Sequence, residues 1–306
     1  MACEARPVAG VILVTGTDAA SNAPAVFRVD HATGAQTNLS SGGAFISPGG
    51  IAVEANGSIV VADSGAVTGR GQVIRVDPVT GAQTIASSGG LFVRPFDIAV
   101  EASGDLLVVD AFASARGGVI RVDPGTGAQT MLSIGEIQAS TTPLRAVGIA
   151  LETDGHILVA EQGGAGGADG GRVVRIHRAS GARTVVSSGG DFVSPIGIAV
   201  EAGGTIVVAD ANAFGSPDDL VNDGGIIRVD SVTGTQTKVS SGGGFVTPRG
   251  IAVEAGGGIL VTDSEAFGGV GGVIRVDPAT GSHTTLVSGG AVRDLRRLTV
   301  VPASGS

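Results

Sequence analysis

The sequence predicts an all-β chain, a six-bladed β-propeller with four antiparallel strands in each blade. Three observations carry that prediction. Ile51 recurs as Ile98, Ile149, Ile198 and Ile251 and finally as Leu298, at spacings of 47, 51, 49, 53 and 47 residues. Each unit holds four short apolar runs, and a repeat of that length and content marks blades, small sheets that cannot bury their faces alone. The chain also contains 53 Gly among its 306 residues, which supplies the frequent turns that short strands need.

In the second blade the spacing predicts strand A from Ile51 to Glu54 and strand B from Ile59 to Asp63. Strand C follows from Val73 to Asp77, and strand D runs over about 83–87. Strands A to C read as nearly continuous apolar runs rather than alternation, so both faces are covered, as in stacked blades. The small Ala52, Ala99, Ala150, Ala199 and Ala252 occupy strand A, where wedge-shaped blades converge on the axis. Between C and D, Asp77-Pro78-Val79-Thr80-Gly81 is a turn: proline fixes φ and glycine accepts positive φ.

The N-terminal unit has runs for strands B, C and D (Val11 to Val14, Val26 to Asp30, Gln36 to Leu39) but none for strand A. The unpaired run Leu298 to Val301 supplies it, closes the ring and removes the open edges. One domain therefore spans 10–302, with blade starts near 51, 98, 149, 198 and 251 and tails at 1–9 and 303–306.

The pattern resembles the NHL-repeat propellers, whose units read roughly P-x-G-I-A-V-D, V-A-D and R-I-x-V-F-D. The matching stretches are Pro195 to Glu201, Val208-Ala209-Asp210 and Ile227 to Asp230. More distantly the chain is similar to the gluconolactonase-like and strictosidine synthase-like propellers. That resemblance implies a ring closed by its two termini and leaves several activities open. In gluconolactonase-like enzymes the residue immediately before the strand A glycine supplies carboxylate and Asn ligands to a metal. The aligned residues are Gly49, Phe96, Val147, Ile196, Arg249 and Arg296, none a metal ligand, so no metal and no other cofactor is expected.

Composition excludes partners. The net charge is −9 and Lys238 is the only lysine; Phe, nine residues in all, is the only aromatic type. Basic clusters and aromatic platforms for nucleic acid are therefore missing. No apolar run approaches the ~20 residues that span a bilayer. Cys3 is the only cysteine, so no internal disulfide forms and the compartment stays open: secreted, periplasmic or anchored by a lipid on Cys3. A monomer is expected.

Repeated charges belong to the scaffold. Arg28, Arg75, Arg121, Arg175, Arg228 and Arg275 recur in every blade, and Glu54, Glu101, Glu152, Glu201 and Glu254 end strand A in five. One Arg–carboxylate pair per blade accounts for them. Asp63, Asp110, Glu161, Asp210 and Asp263 end strand B; they cap local backbone N–H groups or, alternatively, ring a cation.

Function is sought where the units differ, on the rim carrying the B–C and D–A loops. Asp97 stands where the second blade and the next three blades have glycine, facing Arg249, Arg296 or Arg297 across the channel. It is either an acid–base residue, with the arginines holding an anionic group, or half of a buried pair that plugs the channel. Glu161, the only Glu of the strand B set, is the other acid–base candidate. Phe96, Phe112, Phe214 and Phe267 are read as an apolar wall for a ligand or as loop anchors. His31, His156, His177 and His283 fall on the opposite, uniform rim. Gly163 to Gly171 lacks the helix and lysine of a phosphate loop, and Ser216 to Asp223 fails the EF-hand spacing. The leading expectation is metal-independent binding of a small molecule or peptide at the channel mouth. The alternatives are a hydrolase, lyase or cyclase using Asp97 or Glu161, and a structural protein-interaction module.

Overall fold

The computed structural model describes residues 10–65, 69–135, 144–163, 170–214 and 224–301. Cys3, the loop Ser216 to Asp223 and most of the run from Gly163 to Gly171 lie outside the described residues. The fold is the predicted six-bladed propeller. Blades 2 to 6 are four-stranded antiparallel sheets in simple sequential order. Blade 2 comprises Pro48–Val53, Ile59–Asp63, Gln72–Val76 and Gln83–Ser88, and its pattern is repeated around the ring.

Blade 1 is built from both ends of the chain. Val11–Asp18, Pro24–Asp30 and Gln36–Ser41 supply its outer three strands. Leu298–Val300 pairs antiparallel with the first of these, Ile12 opposite Val300 and Val14 opposite Leu298. The Val301 N–H extends that ladder to the Val11 carbonyl at 2.9 Å. The short strand Val292–Arg293 adds a second contact farther along, at Thr17 and Asp18.

The core lies between blades, as the unbroken apolar runs require. Strand B is buried at all five positions in blades 2, 3, 5 and 6. Val60 and Ala62 of blade 2 pack with Ile98, Leu106, Val108 and Ile120 of blade 3. Phe92, Phe192 and Phe245 are buried among these faces.

Polar groups stitch neighbouring blades together. Arg75 donates to both oxygens of Glu54 at 2.6 and 2.8 Å and to the Pro124 carbonyl of the next blade at 3.3 Å. The same three-point arrangement recurs at Arg121, Arg175, Arg228 and Arg275. Being partly exposed, each pair contributes on the order of 1 kcal/mol or less. Gly81 has φ +71°, and a Cβ there would lie 2.0 Å from the Leu39 carbonyl oxygen of the preceding blade. The C–D turn therefore needs glycine for its conformation and for that close approach.

The same turns set an acid limit on stability. Asp77 accepts the N–H groups of Thr80 and Val79 and the Thr80 hydroxyl. These bonds, the Thr80 N–H foremost, hold its carboxyl below the ordinary 3.8. Asp30, Asp123, Asp230 and Asp277 are held low in the same way. A depressed folded-state pKa gives stability that is present above the unfolded value and lost as pH falls through the folded one. The calorimetric melting temperature is therefore expected to drop as pH falls below the ordinary carboxylate range. Asp77→Ala with Asp230→Ala should flatten that limb; an unchanged slope contradicts the assignment.

Candidate functional site

Each inner strand of blades 2 to 6 carries a bulge at one place. In blade 3, Pro95 pairs with Asp110 and Asp97 with Val109, which leaves Phe96 without a partner. Register shifts skip Val147 in blade 4, Ile196 in blade 5 and Arg249 in blade 6 in the same manner, and Gly49-Gly50 in blade 2. A bulged residue leaves the ladder and its side chain is re-aimed. Gly49, Phe96, Val147, Ile196 and Arg249, with Arg296 of blade 1, all line one cavity of about 620 Å³ at the mouth of the channel. The position before the strand A glycine thus rings the mouth, and the bulge is the reason.

Ring order gives the mouth two unlike sides. Arg249 and Arg296 come from blades 6 and 1, which are neighbours. Phe96 and Val147 come from blades 3 and 4 across the axis, and Ile196 from blade 5, between Val147 and Arg249. Arg249 donates through Nε to the Ser264 hydroxyl at 2.8 Å. Arg296 donates through Nη1 to the Ser47 hydroxyl at 2.6 Å and to the Pro48 carbonyl at 3.4 Å. Neither guanidinium is ion-paired to a carboxylate among the described residues, although Glu265 and Asp294 line the same cavity. Burial first, and then the charge of Arg249, pushes the Arg296 pKa down. Two like charges therefore face one cavity, with no carboxylate in ion-pair contact with either among the described residues, while the more distant charges of Asp63 and Asp294 oppose the fall of the Arg296 pKa.

Arg297 forms the floor. Its guanidinium donates to the carbonyls of Arg249, Val147 and, at 3.2 Å, Ile196, so it spans blades 6, 5 and 4. Its Nε lies 3.5 Å from Asp97 Oδ2 in blade 3. Asp97 also accepts the Ile98 N–H at 3.0 Å and the Ile149 N–H at 3.3 Å. Burial pushes the Asp97 carboxyl up, against the opposing pull of the Arg297 charge and these N–H groups. Burial likewise pushes Arg297 down, with Asp97 opposing. The remaining blades carry glycine here because there is no space: a Cβ on Gly50 would lie 2.4 Å from the Asp97 Cα, and one on Gly148 2.3 Å from the Ile196 carbonyl oxygen.

Below the pair lies a second cavity of about 370 Å³, lined by strand A residues of the blades, including Ala52, Ala99, Ala150, Ala199 and Ala252. Asp97 and Arg297 border it, and Arg297 borders both cavities. The Asp97–Arg297 pair thus lies between the two cavities.

Several sequence-predicted residues are not brought to the mouth. Glu161 is buried and bonded to Arg172 at 2.7 Å and to Arg183, within its own blade. Its carboxylate is thus a buried ion-pair centre and does not line either cavity. Phe112 is stacked by Arg94 and Arg145, at 5.3 and 4.5 Å from its centroid. Phe214 lies under Lys238 and packs on the core of blades 4 and 5, and Phe267 packs on that of blades 5 and 6. These three are loop anchors; only Phe96 faces the mouth.

The strand B carboxylates cap backbone. Asp110 accepts the N–H groups of Val93, Arg94, Phe112 and Ala113, and Asp263 those of Val246, Thr247, Glu265 and Ala266. Asp63 and Asp210 tie their loops down in the same way, and burial is what raises their carboxyl pKa. Among the described residues no three His, Cys, Asp or Glu side chains converge as metal ligands. None of the four histidines lines the mouth. Sequence reasoning missed Ser47, Ser64 and Ser264, which line the mouth beside the arginines. Their signal was their place, directly before the strand A proline or directly after the strand B aspartate.

No protein-family model and no curated protein sequence matches the chain. Solved structures do match it in shape. A chain of a nidogen/laminin complex superposes with a TM-score of 0.71 at 13% identity, covering 96% of this chain and 99% of that one. A gluconolactonase of Xanthomonas campestris gives 0.62 at 16% identity, covering 94% and 88%. Virginiamycin B lyase of Staphylococcus aureus gives 0.58 at 14% identity, covering 92% and 86%. At such identities the likeness is one of fold: the chain is a six-bladed β-propeller, an architecture that serves binding modules and enzymes alike.

Proposed function

We propose that this propeller binds a small molecule or peptide at its channel mouth through an anionic group held by Arg249 and Arg296. The observation that carries the reading is the pair of neighbouring guanidiniums facing a cavity with no carboxylate in ion-pair contact with either among the described residues. An anion placed between them relieves their mutual repulsion and gains charge-assisted, bidentate hydrogen bonds. The cavity of about 620 Å³ has the size of a small-molecule site. The hydroxyls of Ser47 and Ser264, already bonded to the two arginines, hold them in place.

Inorganic phosphate is the simplest probe. It is expected to raise the melting temperature of the wild-type protein, and Arg249→Ala is expected to abolish the shift without lowering the melting temperature itself. Calorimetry suits a chain with no Trp and no Tyr. A phosphate shift unchanged in both Arg249→Ala and Arg296→Ala removes this site.

Acid–base chemistry is the second reading, favoured by the raised pKa of Asp97 beside a cavity. Lactones are reasonable probes, given the gluconolactonase among the similar structures. Hydrolysis that Asp97→Asn leaves untouched assigns the chemistry elsewhere.

A further inference from the structure

We infer that the ligand of this mouth is amphipathic: a carboxylate attached to a compact apolar body of aryl or medium-chain alkyl type. The inference rests on the anion-binding reading above and adds the half of the ring that reading leaves unused. Read by blade, the ring is Arg296, Gly49, Phe96, Val147, Ile196 and Arg249. The two cations are adjacent, the three apolar residues are consecutive with Phe96 and Val147 opposite the cations, Ile196 joins the wall to Arg249, and Gly49 leaves a gap on the other side. A compact, multiply charged ligand such as a sugar phosphate satisfies the arginines but strands its hydroxyls against Phe96, Val147 and Ile196. A bare inorganic anion leaves that wall wet.

The wall is open at Phe96 and half-open at Ile196, while Val147 behind them is buried. Phe96 is 36% exposed although it stands at a bulge beside a cavity. Of the polar residues on that side, Gln162 and Ser194 are bonded to each other at 2.5 Å, and Asn212 borders the edge of the wall beside Ala211. A carboxylate matches the cationic half because a guanidinium presents parallel donors to its two oxygens. The floor formed by Arg297 limits depth, which selects a body of a few carbons or one ring over a long chain.

Isothermal titration with acetate, butanoate, hexanoate, 3-phenylpropionate and inorganic phosphate tests the inference. Affinity is expected to rise roughly threefold to fourfold for each methylene buried between butanoate and hexanoate, with 3-phenylpropionate bound most tightly. Phe96→Ala combined with Ile196→Ser is expected to flatten that series while leaving phosphate unchanged. Arg249→Ala is expected to weaken every member. A free amino-acid derivative, N-acetylphenylalanine, set against a pentapeptide ending in Phe distinguishes a small acid from a chain terminus as the source of the carboxylate. Equal affinities for acetate and hexanoate, both dependent on Arg249, would keep the anion site and overturn the amphipathic ligand. Binding indifferent to Arg249 throughout overturns both.

Discussion

A chain ending at Arg297 is expected to lose its cooperative unfolding transition and to aggregate. The deletion removes Leu298 and Val301, both buried, together with the packing of Val300. Burial of a Leu or Val side chain is worth several kcal/mol when truncated in a packed core. Two such losses, on the order of 5 kcal/mol or more, approach the whole stability of an ordinary domain. The deletion also leaves the inner edge of Val11–Asp18 unpaired at the axis, a template for association between chains. Leu298→Ala is the milder companion, with an expected cost of about 2–5 kcal/mol, read from calorimetric melting. A truncated chain that stays monomeric and melts with the wild type contradicts closure by this strand.

The second large effect belongs to the Arg297–Asp97 pair. Arg297→Leu leaves Asp97 buried without its cation, and breaking a buried pair from one side costs about 3–5 kcal/mol. For a domain of this size that is a fall of roughly 5–10 °C. Its pH dependence has a definite sign. The folded-state pKa of Asp97 is already raised by burial, and removal of Arg297 removes the principal influence opposing the rise. A raised pKa means stability that is present below the unfolded value and lost as pH rises through the folded one. The deficit of Arg297→Leu should therefore grow from acid toward neutral pH.

Adding Asp97→Gly restores the residue that the corresponding position has in the next three blades, and should recover most of the loss, as a coupled pair requires. The double variant also joins the mouth to the lower cavity. Additive losses in the cycle would show that the two residues act independently.

The repeat made the architecture legible because propeller blades impose one spatial role on each position in the unit. Ring closure followed from a single mismatch, an orphan inner strand at one end and a missing one at the other. The ring of mouth residues followed for the same reason, and with it Arg249, Arg296 and Phe96. The bulge that turns those side chains inward was not legible, since it depends on pairing between strands rather than on residue type.

Side-chain direction is what the sequence left open at Phe112, Phe214 and Phe267, read as a ligand wall or as loop anchors. Their loops lie on the functional rim, yet each ring meets a long cation or the core before it can reach the channel. Glu161 carried a usable signal that repeat-by-repeat comparison passes over. Blade 4 has Arg172 where other blades have Ala, Gly or Gln, and Arg183 where four others have Gln. Three departures within one blade, two basic and one acidic, describe an ion cluster that compensates itself.

The most direct measurement is a crystal structure of the protein with 3-phenylpropionate bound. The account predicts the carboxylate between the guanidiniums of Arg249 and Arg296 and the phenyl ring against Phe96, Val147 and Ile196, above an intact Arg297–Asp97 pair. A ligand seated in the lower cavity among the strand A alanines, or on the outer surface away from both arginines, contradicts it.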